Sequence, residues 1–144
     1  ILHEWKCYID VYHYEERNDF PYFEKIQQIS TMESHNVKNC AASALSYSMD
    51  YEQLVSTNAG DNSVVVFDVD QETGLLTRNF CLPISGEYPK DAELFPDKRY
   101  LVSLNHESNT MTFFYVDLDK HTIAMNGPEV PLNAPNCLLF HKLK

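Results

Sequence analysis

The chain has no apolar run near the roughly 20 residues that a membrane-spanning helix needs. No signal-peptide pattern is visible. Positive charge is scarce: 11 Lys and Arg stand against 21 Asp and Glu, a formal charge of -10. Such a surface repels phosphate backbones and anionic lipid, so neither nucleic acid nor membrane is an expected partner. GxGxxG, P-loop, GxSxG and HExxH patterns are all missing, which removes the motif basis for those nucleotide, hydrolase and zinc-protease chemistries. The four cysteines (Cys7, Cys40, Cys81 and Cys137) lie far apart with no CxxC pair, so zinc and dithiol chemistry have no motif either. They are expected as reduced, half-buried thiols of a cytoplasmic protein. The histidines other than His106 (His3, His13, His35, His121 and His141) show no ligand spacing, so no metal and no cofactor is expected.

What is present is a repeat. Residues 50–70 and 97–117 match without gaps at an offset of 47, with 9 identities in 21 positions. Asp50 falls on Asp97, Leu54-Val55-Ser56 on Leu101-Val102-Ser103, Asn58 on Asn105, Asn62 on Asn109, Phe67 on Phe114, and Val69-Asp70 on Val116-Asp117. A repeat of this length marks a unit that cannot bury its own faces and stacks on copies of itself.

Each copy reads as four short strands: 40–47, 53–57, 63–69 and 75–82, then 91–95, 100–104, 110–118 and 123–130. Val65, Phe67 and Val69 alternate with Val64, Val66 and Asp68, the period of a sheet with a buried face. Asn and Gly in the connections tolerate the left-handed backbone of tight turns. Residues 8–15 and 23–30 read as the last two strands of a preceding unit, and 136–140 as the first strand of a following one. Residues 31–39 form a polar link. Four strands per 40–50 residues is the blade of a β-propeller. The expectation is an all-β partial propeller of about two and a half blades: a half blade at 1–31, blades at 32–85 and 86–131, and a further first strand within 132–144. The chain opens inside a strand at Ile1 and reads as a piece of a longer protein. Open blade faces invite self-association. The aromatic stretch of Tyr8, Tyr12, Tyr14, Phe20, Tyr22 and Phe23 is expected to pack in the core and between blades.

The cadence of strand, Asp turn, strand, N-x-x-x-N, strand and Val-Asp, with Tyr88-Pro89-Lys90-Asp91, resembles the seven-bladed lactonase-type propellers. That family includes 6-phosphogluconolactonase and 3-carboxymuconate cyclase. No Trp-Asp dipeptide is present, so a WD40 pattern fits worse. The resemblance implies a lactonase acting on an acidic sugar-type lactone in carbohydrate metabolism, with the site at the channel mouth. The chain departs from the family pattern there. Ala41-Ala42-Ser43-Ala44 lacks the Glu or His common at the start of a first strand, and Thr57-Asn58-Ala59 lacks the arginine of Ser-Asn-Arg. Lys90 stands where Pro-Arg-Asp is common, and lysine lacks the planar fork of arginine.

Lactone hydrolysis needs an activated water, a stabilised oxyanion and a grip on the anionic tail. Lys90 is the candidate anion clamp and Asp91 its orienting partner. His106 is the candidate general base, with Glu107 beside it. Asn58 and Asn105 recur at one repeat position and are expected to serve the backbone. The expected partner is a small anionic lactone. The competing expectation is a non-catalytic propeller that binds a metabolite or a protein.

Overall fold

The computed structural model describes residues 1–33 and 40–141. His35 and most of the 31–39 link lie outside the described residues. The architecture is all-β, with strands in three separate antiparallel sheets. The first holds β1 (Leu2–His3), β2 (Tyr8–Arg17) and β3 (Phe20–Ser30), with a single 3-10 turn at Glu4–Lys6 after β1. The second runs β4 (Ala42–Tyr47), β5 (Gln53–Asn58), β6 (Ser63–Val69) and β7 (Leu76–Pro83) in sequential order. The third runs β8 (Pro89–Leu94), β9 (Tyr100–Asn105), β10 (Thr110–Asp117) and β11 (Thr122–Met125), with β12 (Val130–Pro131) also pairing β10. Sequential antiparallel order in stacked sheets is the build of propeller blades.

The cores lie between sheets. Val55, Val64, Val66 and Phe80 of the middle sheet pack against Ala92, Leu94, Leu101 and Phe114 of the third. Leu54, Val65, Phe67, Leu76 and Cys81 pack on Ile9 of the first. The alternation in β6 therefore serves two cores rather than one buried and one wet face. Val64, Val65, Val66 and Phe67 are all 0% exposed, and burying each is worth about 1.5–3 kcal/mol.

The repeat is visible in the turns. Tyr51 and Lys98 take φ of 62° and 56°, and Asn62 and Asn109 take 51° and 54°. Asn58 and Asn105 are both 0% exposed. The Asn58 amide donates to Thr31 O and Ser63 Oγ, and its oxygen accepts from Thr31 Oγ1. Asn105 donates to Thr110 Oγ1 and Thr112 Oγ1 and accepts from Ser103 Oγ. Gly86, at φ 95°, leaves the room: a Cβ there would sit 2.2 Å from Asn105 Nδ2.

Four expectations need correction. Residues 136–140 form no strand; they run extended with Leu138 and Phe140 N–H held by side chains instead of a ladder. The expected strand 123–130 is split into β11 and β12 by the turn at Gly127, φ 84°. The aromatic stretch is mostly exposed: Tyr14, Phe20 and Phe23 lie on the far half of the β2–β3 hairpin. That hairpin is longer than its counterparts β6–β7 and β10–β11 and extends past them. Finally, Cys7 and Cys40 are joined in a disulfide with Cα atoms 5.7 Å apart, and the thiols of Cys81 and Cys137 are free.

Candidate functional site

Sheet pairing fixes which residues are equivalent between blades. His3 pairs Tyr8, Asn58 pairs Ser63 and Asn105 pairs Thr110, each as the last pair before the loop to the next strand. The residue after each pair is then Glu4, Ala59 and His106. A second equivalent set begins the inner strands: Ser43, Lys90 and Cys137, at successive offsets of 47. Both sets lie at the same end of the blades, where β5 hands over to β6 and β7 to β8.

Glu4 of the first set and Ser43 of the second share a hollow with Lys90. Glu4, Ser43 and Lys90, with Leu2 and Ala42, line a hollow of about 270 Å³ between adjacent blades. Its chemistry is one carboxylate, one hydroxyl and one ammonium on a short apolar floor. The volume is at the small end for ligand sites. The Lys90 ammonium stands 4.8 Å from the Tyr88 ring centroid, within the range of a cation–π contact. Tyr88, at φ 59°, is fixed by its N–H to Asn62 Oδ1 at 2.8 Å.

The other candidates have different surroundings. Asp91 is 9% exposed, and its carboxylate accepts from Ala92 N at 2.9 Å and Leu138 N at 2.8 Å. Burial pushes its pKa above the ordinary carboxylate range, partly opposed by those two N–H groups. Both oxygens are thus occupied by backbone, one of them on the next inner segment. His106 Nδ1 lies 3.2 Å from Pro135 O. A carbonyl only accepts, so a hydrogen bond there is donated by Nδ1–H. Its backbone N–H is fixed on Tyr88 O at 3.0 Å. Glu107 is exposed, with its N–H on Glu87 O. Neither His106 nor Glu107 lines the hollow that holds Lys90.

Glu4 was missed in the sequence. The first repeat copy is cut short there, and His3 stands where the other two have Asn58 and Asn105, which hides the alignment. The signal that remains is local: Leu2-His3-Glu4 has the pattern of Leu104-Asn105-His106, a strand-end leucine, a polar residue and then an acid–base side chain. Among the described residues no three His, Cys, Asp or Glu side chains converge as metal ligands.

The sequence was compared with known families, and residues 1–140 match the model described as lactonase, 7-bladed beta-propeller. The chain belongs to this lactonase family. Among curated proteins it is 26% identical over 118 residues to the 6-phosphogluconolactonase of Bacillus subtilis, covering 82% of this chain and 34% of that protein. Among solved structures it superposes on the periplasmic gluconolactonase of Pseudomonas aeruginosa with a TM-score of 0.83, at 22% identity, over 98% of this chain and 38% of that one. A protein from Lactobacillus plantarum gives a TM-score of 0.76 at 22% identity, over 92% and 38%. The chain therefore spans about a third of the length of these three proteins. The structural likeness carries the fold, and the match to the lactonase model carries the family.

Proposed function

We propose that this part of a lactonase-family propeller supplies one side of a site that hydrolyses an acidic sugar lactone such as 6-phosphogluconolactone, in carbohydrate metabolism. The observation that carries the reading is the meeting of Glu4, Ser43 and Lys90 in one hollow between inner strands. Lys90 holds the anionic tail through a point charge. The Glu4 carboxylate takes a proton from water as the water oxygen bonds to the lactone carbonyl carbon. The tetrahedral oxyanion then collapses, the ring C–O bond breaks, and the proton passes to the leaving oxygen to give the open hydroxy acid. Ser43 is placed to hydrogen-bond the developing oxyanion. His106 offers a second base at the equivalent position of a later blade.

The test is Lys90→Ala in the full-length protein. KM for 6-phosphogluconolactone is expected to rise about tenfold or more, the loss of one charge-assisted contact. Uncharged gluconolactone should be turned over as before, and the melting temperature should hold within a degree or two. An unchanged KM for the phosphorylated lactone in a folded variant overturns the assignment. A second reading, a propeller that binds an anion without turnover, is favoured by one feature. Ala59 leaves the loop between Glu4 and His106 without a charged group. Tight binding of 6-phosphogluconate with no hydrolysis in the intact protein would select it.

A further inference from the structure

The disulfide lies beside this hollow rather than at random in the fold. Cys7 closes the turn that carries Glu4: its N–H bonds His3 O at 2.9 Å, and its φ is 47°. Cys40 stands two residues ahead of β4, whose first residues Ala42 and Ser43 form the other wall. Both sulfurs approach the Glu4 carbonyl oxygen, Cys40 Sγ at 3.2 Å and Cys7 Sγ at 3.6 Å. Cys7 O accepts Thr31 N–H at 2.9 Å, and Thr31 is in turn bound to the Asn58 amide. The pair is buried, 2% and 9% exposed, among Met32, Ala42 and Leu2. The bond closes an interval of 33 residues and ties the first sheet to the second at the mouth.

We propose that the Cys7–Cys40 disulfide is a clasp that positions Glu4 against the Ser43–Lys90 wall, so that the hollow is correctly set only in the oxidised protein. This rests on the reading of that hollow as the lactone site. Closing the clasp takes two electrons and two protons from the thiols. A disulfide-bearing oxidant accepts them and leaves as its dithiol; a dithiol reductant reverses the step. The buried sulfurs give an attacking thiolate little access. The bond is therefore a stable structural link of the kind kept in an oxidising compartment, where the composition alone had suggested the cytoplasm. The remaining cysteines are internal controls. Cys137 is exposed, whereas Cys81 is buried and its thiol pKa is pushed up by burial.

The experiment has a chemical and a kinetic arm, both on the full-length protein. In protein isolated from its own cells under acid quench, unfolded and alkylated without reductant, Cys81 and Cys137 should label as free thiols. Cys7 and Cys40 should label only after dithiol treatment. Labelling of Cys7 and Cys40 without reductant overturns the clasp. Loss of the bond, by reduction or in Cys7→Ser/Cys40→Ser, should lower the melting temperature by roughly 10 °C. It should also lower kcat for 6-phosphogluconolactone about tenfold to a hundredfold at temperatures where the protein stays folded. Glu4→Gln should lower kcat about a hundredfold and make it insensitive to reduction, because the group being positioned is gone. If reduction leaves kcat unchanged while Glu4→Gln lowers it, the clasp has no positioning role and the hollow stands. If Glu4→Gln and Lys90→Ala both leave kinetics unchanged, the hollow is not the site, and the clasp's role in it falls too.

Discussion

The two complete blades, β4–β7 and β8–β12, share buried amide and aromatic positions and change their mouth positions. Phe67 and Phe114 are 0% and 3% exposed at matching sites, and Asn58 and Asn105 are both 0%. Their left-handed turn residues also agree. At the mouth the same offset converts Ser43 to Lys90, Ala44 to Asp91 and Ala59 to His106, and further along the inner strand Ser46 to Glu93. The scaffold of a blade thus constrains its interior amides and aromatics, while charge is free to vary at the inner-strand starts. Chemistry in such a repeat is found by asking where equivalent positions disagree.

Disagreement alone does not make a functional residue. Ser46 Oγ donates to Ala92 O at 2.7 Å, whereas Glu93 at the same position accepts from Phe140 N at 3.2 Å. Both tie one inner strand to the next, with donor and acceptor exchanged. Asp91 does the same through Leu138. Of the charged residues on this inner strand, only Lys90 lines the hollow with Glu4. The segment after β12 thereby gains side-chain partners where adjacent inner strands have no shared ladder.

The sharpest way to break the comparison is to remove the shared amides. Asn58→Ala strands buried partners on Thr31 and Ser63, and Asn105→Ala does so on Ser103, Thr110 and Thr112. Each should cost about 2–3 kcal/mol, since each leaves more than one buried polar group unpaired. Urea unfolding of the full-length variants measures this. A cost under about 0.5 kcal/mol at both sites would mean the amides are incidental to the blade.

Most strand positions were legible because β-structure with short connections prints its period on the chain; β6 occupies the residues that alternation marked. Other features were not legible, for physical reasons. The segment 136–140 has strand composition, but a ladder needs a second strand and the described residues include none beyond it; its Leu138 and Phe140 N–H groups bond Asp91 and Glu93. The aromatics of the β2–β3 hairpin look like core until its extra length carries them past the neighbouring blades. Cys7 and Cys40 pair across a link 33 residues long, a meeting that spacing alone does not encode. Lys90 was legible as a candidate because it stands where the resembled family carries Pro-Arg-Asp. Its partner Glu4 was not, because it comes from the shortened first copy.

A smaller effect separates Asp91 from its neutral counterpart Ala44. Burial raises the Asp91 pKa in the folded state above its unfolded value. The folded state therefore binds the proton more tightly, and stability falls as pH rises from the ordinary carboxylate value through the raised one. Asp91→Asn keeps an acceptor for Leu138 N–H and removes the titration. Its stability relative to the native protein should improve as pH rises across that window. Parallel stability–pH curves for the two proteins would show that Asp91 does not carry this linkage.

The smallest effect lies at the opposite end of the blades, where the repeat is again broken by charge. Lys98 Nζ lies 2.6 Å from Asp50 Oδ2 and 2.6 Å from Glu52 Oε2, linking the turn of one blade to that of the previous one. The equivalent of Lys98 in that previous blade is Tyr51, which has no such charge to offer. The Lys98 ammonium, with Ser48 Oγ, holds the Asp50 pKa down to about 2 from 3.8. A depressed carboxylate stabilises the fold above its unfolded pKa, and that contribution is lost as pH falls through about 2. The pair is partly solvated, with Asp50 43% exposed, so Lys98→Met should cost less than about 1 kcal/mol at neutral pH. The cost should shrink with added salt and vanish in acid, where Asp50 is protonated in both proteins. Melting curves of the two proteins from pH 7 to pH 2 (roughly the span in which Asp50 titrates folded or unfolded) should therefore converge. Curves that keep a constant gap to the lowest pH would show that Lys98 contributes by packing its stem against the turn rather than by its charge.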